Sequence, residues 1–214
     1  MTFNSLLQDL RDYLERGTAV DPTVYAKLPS LVNLAERQLA DSLKLLGFVE
    51  VLTGTMSVGT SVIVKPDRWR STISINFGVG DPLLTQQKRV PLLPRTYEYL
   101  RFYWPNEALT GQPKFYADYE YSHWLVAPTP DLAYPFEVNA WMLPPLLDDT
   151  NQTNWSTQYA SNALLHGALL QATPFVKNDE RIPVWQEIYD RDCAILEAQD
   201  VKRIIDRTVT RENV

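Results

Sequence analysis

The sequence predicts an α+β fold in which helices from both ends of the chain form a bundle, with an antiparallel β-rich subdomain inserted between them. Apolar residues recur at helical spacing near both ends of the 214-residue chain, whereas short segments rich in β-branched and aromatic residues fill the middle. Ten of the fifteen prolines lie between Pro82 and Pro145, where they disfavour long helices. We therefore expect N-terminal helices at 1–47, a β-rich insertion at 48–150, C-terminal helices at 151–200 and a tail at 201–214.

The N-terminal region predicts two amphipathic helices separated by a loop. The first has Thr2 or Asn4 as its N-cap and Gly17 at its end. Its apolar stripe consists of Phe3, Leu6, Leu7, Leu10, Tyr13 and Leu14. Residues 18–27 contain Asp21-Pro22 and predict the loop. The second helix then has Pro29 in its first turn and Gly47 at its end. Its stripe consists of Leu28, Leu31, Val32, Ala35, Leu39, Leu43 and Leu46.

The middle region predicts short antiparallel strands joined by turns. Ile73 and Ile75 alternate with polar neighbours, as in a half-buried strand. The predicted strands are residues 48–52, 61–64, 71–77, 115–119, 123–126 and 135–141. Residues 95–103 form an exception and predict a short helix that ends before Pro105.

The C-terminal region predicts helices again. Ala160, Ala163 and Gly167 share a face of small side chains, which would allow another helix to approach closely. Pro174 ends this helix, and Asn178 or Asp179 caps the next one. The apolar stripe of that last helix consists of Ile182, Trp185, Ile188, Tyr189, Cys193, Ile195 and Leu196. We expect Trp185 to be buried against the N-terminal helices, and we expect the stripe to end once Gln199 and Asp200 enter it.

Composition excludes several classes of protein. A single cysteine rules out an internal disulfide framework, and two histidines with that cysteine are too few for a His/Cys zinc site. A net charge of -6 disfavours nonspecific binding to nucleic acid or anionic membranes. The N-terminal segment is charged and lacks the apolar stretch of a secretory signal, so we expect folding in a cytoplasm.

No motif for an enzyme or a cofactor site emerges, so we expect no catalysis, no cofactor and no metal. Gly54–Gly59 predicts a turn between two strands, because no helix follows it as in a phosphate-binding loop. The Asp148-Asp149 pair predicts a turn and helix cap. His123 and His166 lack catalytic or ligand partners at useful spacing, so both are expected to be structural. Cys193 is expected to be an inert core thiol.

Aromatic residues are concentrated in the second half of the insertion. Thirteen of the twenty-four lie between Tyr97 and Trp141. They indicate either a stacking platform for sugars or bases, or the packing of a small β subdomain, or a protein–protein contact surface.

Short motifs follow one another in a fixed order along residues 97–190. A predicted strand followed by Ala127-Pro-Thr-Pro130 leads into a second strand that ends at Pro144-Pro145-Leu146, and the segment Thr153-Asn-Trp155 comes after it. The further positions of the pattern are Tyr159, Leu165–Leu169, Ala172, Pro174-Phe175, Asp179–Arg181 and Trp185. In this order and spacing, the motifs resemble those of the adaptor, or head-completion, proteins of tailed bacteriophages. His166 departs from the family pattern, which has an aromatic residue there.

This resemblance implies a structural virion protein of the phage neck, the head–tail connector. Such adaptors form a ring, usually of twelve copies, below the portal protein and join the head to the tail around the DNA channel. The resemblance also implies a helical bundle with a β-rich insertion and a C-terminal segment that reaches into the portal. DNA would pass through without specific binding.

The tail is the candidate portal-binding segment. The hypothesis assigns this role to Lys202, Arg203, Ile204, Ile205, Arg207, Val209 and Arg211, whose cations and apolar side chains suit an acidic portal surface. A frayed helix end with solvated charges is the alternative. Two further functions stay open at this point: a carbohydrate-binding module that uses the aromatic cluster, and a hydrolase that uses scattered carboxylates.

Overall fold

The computed structural model describes residues 1–15, 22–79, 88–175 and 179–205. The chain divides into two compact units: Met1–Phe48 together with Leu143–Val214, and Val49–Met142. We call the first the helical unit and the second the sheet unit.

The described residues contain six α-helices and nine strands. The helices are α1 (Phe3–Leu14), α2 (Pro22–Ser42), α3 (Tyr97–Tyr103), α4 (Trp155–Tyr159), α5 (Ser161–Gln171) and α6 (Ile182–Ile205). The strands are β1 (Val49–Thr55), β2 (Val62–Val64), β3 (Trp69–Val79), β4 (Lys88–Pro94), β5 (Thr110–Gly111), β6 (Phe115–Glu120), β7 (His123–Ala127), β8 (Thr129–Pro130) and β9 (Pro135–Met142).

The predicted arrangement, a terminal helical bundle carrying an antiparallel insertion, is wrong. The structure is an α+β fold with a seven-stranded curled sheet in the order β1-β9-β3-β4-β6-β7-β2, and this sheet encloses a hydrophobic core of its own. The helices do not simply flank the strands from the two ends, since α3 lies between β4 and β5 along the chain. The sheet is also not wholly antiparallel, because β4 pairs in parallel with β6. The connection through α3 is long enough to return the chain in the same direction.

Six strands lie at the positions that the sequence predicts: β1, β2, β3, β6, β7 and β9. Most of their first and last residues agree with the predicted ones to within two positions. The largest difference is at the end of β1, which extends to Thr55 rather than to residue 52. The ladder between β3, the longest strand, and β9 contains register shifts between Trp69 and Ser71 and between Thr72 and Ser74. The helix predicted at residues 95–103 is α3, which Thr96 caps by accepting a hydrogen bond from the Tyr99 N–H at 3.3 Å. The Gly54–Gly59 segment connects β1 to the turn before β2, as predicted, and Gly59 adopts a positive φ of 72°.

Helix α1 begins as predicted. The Thr2 side chain accepts a hydrogen bond from the Ser5 N–H at 3.2 Å, and the Ser5 hydroxyl accepts one from the Thr2 N–H at 2.9 Å. The helix ends at Leu14 with Glu15 in the left-handed conformation, so its end comes before Gly17, which lies outside the described residues. Tyr13 is exposed, although the stripe had placed it on the buried face.

Helix α2 is longer at its start than predicted. It begins at Pro22, so residues 22–27 are helical rather than a loop, while 18–21 lie outside the described residues. Pro22 suits a first turn, whose N–H groups have no helical partner. Pro29 therefore falls inside the helix, and its carbonyl also accepts a hydrogen bond from the Asn33 side chain at 3.0 Å. The helix ends at Ser42, and Gly47 lies in a separate 3₁₀ turn, Leu46–Phe48.

An apolar cluster in the helical unit contains side chains from α1, α2, α5 and α6. Trp185 belongs to it and is 3% exposed, which confirms the expected burial against the N-terminal helices. Gly167 of α5 permits close packing, because a Cβ there would lie 3.1 Å from the Tyr189 ring and 3.4 Å from Ala35. The small-residue face thus acts as predicted, although Ala160 interrupts the helix and separates α4 from α5.

Candidate interaction surfaces

The structure describes only part of the predicted portal-binding segment. Lys202, Arg203, Ile204 and Ile205 occupy the last turn of α6. Arg207, Val209 and Arg211 lie outside the described residues. The seven positions therefore remain a hypothesis, with α6 running further toward them than the apolar stripe predicted.

Asp200 explains why α6 continues beyond Leu196. The side chain is buried, and its Oδ2 accepts a hydrogen bond from the Leu46 N–H at 2.7 Å. This contact joins α6 to the 3₁₀ turn that follows α2. The apolar stripe predicts that the packed face ends where Asp200 enters it, whereas the Asp200 carboxylate is buried and accepts a hydrogen bond from a backbone donor.

The most exposed large apolar side chain of the described residues is Phe102 on α3, at 87%. Tyr99 and Tyr103 lie beside it, one helical turn apart, with their rings parallel within 6° and 6.1 Å between centroids. The Arg95 guanidinium lies 5.7 Å from the Tyr99 ring centroid. We call Arg95, Tyr99, Phe102 and Tyr103 the α3 face.

The α3 face packs on its own sheet through the rings of Tyr99 and Tyr103. Phe115 of β6 contacts Tyr99 and Tyr103 edge-on, with centroids 5.6 and 5.0 Å away. The buried Leu100 anchors the opposite side of the helix. Ordered rings that still expose much of their surface are typical of protein–protein contacts.

A second surface is a groove in the helical unit between α4, the start of α5, and α6. One cavity of about 230 Å³ has Asp192 and Ile195 in its wall, and another of about 400 Å³ has Trp155 and Asp200. Both are lined by Tyr159, Leu196 and Gln199, so they form one continuous groove. We call it the α4–α6 groove.

Apolar and acidic groups line this groove together. Tyr159 is 69% exposed and Ile195 47% exposed. The Asp192 carboxylate lies 3.5 Å from the Arg191 side chain, a weak ion pair. Such a mixture suits a partner that combines an aromatic side chain with a cation.

The Asp148-Asp149 pair forms the predicted turn, whereas the N-cap of α4 is Asn154. Asp148 accepts three hydrogen bonds, from the Thr150 N–H and hydroxyl and from the Asn151 N–H. These bonds, led by the one from the Thr150 hydroxyl, lower the pKa of Asp148 and fix the predicted turn. His166 is buried, with Nδ1 2.9 Å from the Asn162 carbonyl oxygen.

The structure also shows the surroundings of His123 and Cys193. His123 lies on β7, with Nδ1 bonded to Glu120 and 2.9 Å from the Ser122 hydroxyl, so the three groups form a local surface cluster. Cys193 is only half-buried, which corrects its expected place in the core. Burial still raises the pKa of the Cys193 thiol, which disfavours a reactive thiolate.

The sheet unit contains a buried lysine that the sequence pattern did not predict. The Lys65 side chain is 1% exposed, and its Nζ lies 2.8 Å from an Asp118 oxygen and 2.9 Å from the Glu120 carbonyl. The same Nζ lies 3.6 Å from the Trp69 ring centroid. Period-two alternation could have found it, because Ser61, Ile63 and Lys65 are all buried.

A buried carboxyl group in the helical unit was missed as well. Glu36 on α2 is 1% exposed, and its Oε1 accepts a hydrogen bond from the Asn154 side chain at 2.6 Å. Burial raises the pKa of Glu36, while that hydrogen bond opposes the shift. Asn154 also caps α4 by accepting a hydrogen bond from the Thr157 N–H at 3.0 Å, so the Thr-Asn-Trp turn is tied to α2.

Among the described residues, no group of three or more His, Cys, Asp or Glu side chains is arranged to hold a metal ion. Within the same residues, no helix is long and apolar enough to cross a bilayer.

Comparison with known proteins gives one family. The family model described as SU10 adaptor protein matches residues 1–211, which is nearly the whole chain. No curated protein sequence matches the chain significantly.

Proposed function

The chain belongs to the SU10 adaptor protein family of phage head–tail adaptors, and we propose that it forms a closed ring, of twelve copies, that joins the portal to the tail and lines the DNA channel. The family is a structural one rather than a class of enzymes, and its members are virion components that associate with other head and tail proteins. The match over residues 1–211 is the observation that carries the proposal.

Charge supports a channel role. A wall that binds DNA through lysine and arginine gains free energy from counterion release, and DNA then slides less freely. This chain has 26 acidic against 20 basic residues, so it offers little such gain. An acidic ring would let DNA pass without holding it.

We further propose that residues 201–214 dock onto the portal through the seven positions named above. The segment contains Lys202, Arg203, Arg207 and Arg211 against two carboxylates, Asp206 and Glu212, in a chain of net charge -6. A local basic excess at the end of an acidic protein suits an acidic partner surface. Thr208–Thr210 is β-prone and suits addition to the edge of a portal sheet.

Mixing the purified chain with its portal protein tests the proposed function. We expect a complex whose mass corresponds to one closed ring on each portal, visible in negative-stain images as an added layer. The free chain is expected to assemble less completely, because the portal orders the docking segment. A chain that stays monomeric in the presence of portal would contradict the proposal.

A further inference from the structure

The α3 face and the α4–α6 groove are both uncovered in the single chain. Phe102 is 87% exposed on the first, and Tyr159 is 69% exposed on the second. Exposed aromatic residues that cluster on one surface are typical of interface centres, where they supply much of the binding energy.

The two surfaces offer charged groups of opposite sign. Within the described residues, Arg95 on the α3 face has no carboxylate partner, and the exposed Glu98 lies on the same helix. Among the described residues that line the groove, the charged side chains are the two carboxylates of Asp192 and Asp200. This complementarity favours contact between the two surfaces and disfavours contact of the groove with itself.

Ring symmetry requires such a pair. A closed ring of more than two copies is built from heterologous contacts, in which one surface of a copy meets a different surface of the next. We propose that the α3 face of one copy docks into the α4–α6 groove of the next copy, an inference that rests on the proposed ring. Phe102 then packs against Tyr159 and Ile195, and Arg95 faces the carboxylate of Asp192.

Cysteine crosslinking tests this contact. In a Cys193→Ala background, Phe102→Cys and Ile195→Cys are introduced together, and purified particles of the phage are treated with a short bis-maleimide. We expect a ladder of dimers, trimers and larger species of this chain on a denaturing gel. Either cysteine alone is expected to give no ladder, because each contact then offers only one thiol.

The matched control moves one cysteine off the proposed contact. Val58 is 58% exposed in the turn after β1, and Val58→Cys with Ile195→Cys is expected to give no ladder. Circular dichroism of each purified variant verifies that it is folded. A strong dimer from Phe102→Cys alone, or crosslinks only to another virion protein, would overturn the inference in favour of a different occupant.

This experiment distinguishes failure of the proposed contact between copies from failure of the proposed adaptor function. Particles that contain the chain but give no ladder would overturn the contact and leave the adaptor role intact. Particles that lack the chain would overturn the proposed function, and crosslinking of the concentrated free chain would then decide the contact. A ladder from the free chain would support it, and its absence would overturn it.

Discussion

Lys65 brings a positive charge into the core of the sheet unit, where one carboxylate, one carbonyl and two indole rings compensate for its lost hydration. Its partner Asp118 is 60% exposed, so removal of the lysine leaves no buried carboxylate behind. The cost of a substitution at Lys65 therefore comes mainly from the buried chain and its contacts.

Lys65→Ala is expected to lower the free energy of unfolding by about 2–5 kcal/mol, as other truncations of long buried side chains do. The reason is the cavity next to Trp69 and the lost hydrogen bond to the Glu120 carbonyl. Chemical denaturation measures the change. Lys88→Ala, at an exposed lysine of β4, is the control and should change stability by less than about 0.5 kcal/mol.

Glu36 makes stability depend on pH in an unusual direction. Its pKa in the folded chain is raised above the unfolded value, so the folded state binds the proton more tightly. The chain loses stability at this position as pH rises from the unfolded pKa through the raised folded pKa. Below the unfolded-state pKa, Glu36 is protonated in both the folded and the unfolded chain, so this loss of stability is absent.

Glu36→Gln removes this titration while keeping an oxygen that accepts the Asn154 hydrogen bond. The variant should gain stability relative to the native chain as pH rises above the unfolded pKa, and the two should converge in acid. Melting temperatures across that pH range measure it, with Glu187→Gln on the exposed side of α6 as the control. A difference that does not vary with pH would contradict the assignment.

At the scale of elements, Gly47 determines how the chain leaves α2. A Cβ at Gly47 would lie 2.1 Å from ring atoms of Trp155, the first residue of α4. The Trp155 ring in turn contacts Phe48 edge-on, with centroids 5.3 Å apart. The 3₁₀ turn and α4 therefore fit together only with glycine at this position.

Gly47→Ala should destabilise the helical unit by about 1–3 kcal/mol, the usual cost of overpacking. Gly111→Ala is the matched control, because its added Cβ would make only ordinary contacts at 3.4 Å or more. Thermal unfolding of the two variants compares them. Equal melting temperatures would show that Trp155 moves aside at no cost.

Elements with a regular period could be predicted from the sequence, and the others could not. Alternation identified β3 and β9, and Thr2 identified the start of α1. Strand β4 was missed because Pro91 and Pro94 argue against a strand, although Pro91 lies opposite Asn76 in the ladder. Strands β5 and β8 have two residues each, too few for any period. The parallel pairing of β4 with β6 depends on the sheet as a whole, which no local pattern encodes.

The candidate surfaces, too, could be predicted only in part from the sequence. The concentration of aromatics was visible in the sequence, and protein contact was one of its three interpretations. The exposure of Phe102 was not visible, because it depends on which side of α3 packs on the sheet. Asp200 and Glu36 were missed for a related reason: a buried carboxyl group needs a donor from a distant part of the chain.

At the scale of the whole molecule, the end of α6 determines where the chain can be cut without harm to the fold. Asp200 holds the 3₁₀ turn after α2, and α6 continues to Ile205. The apolar stripe, which ends at Leu196, predicts only that deletion of residues 201–214 leaves the fold intact. A cut after Ile205 keeps every described contact, whereas a cut after Asp200 also removes the last helical turn.

Deletion of residues 206–214 should leave the chain folded and weaken its binding to the portal by tenfold or more, about 1.4 kcal/mol at the least. The deletion removes Arg207, Val209 and Arg211, three of the seven proposed portal contacts. A variant with residues 206–214 replaced by glycine and serine keeps the length and should bind as weakly, because the side chains carry the contact. Circular dichroism and a portal pull-down on the same preparations measure fold and binding. Full binding by the deletion variant would refute docking through these three residues, and loss of its helical signal would show that they complete the helical unit instead.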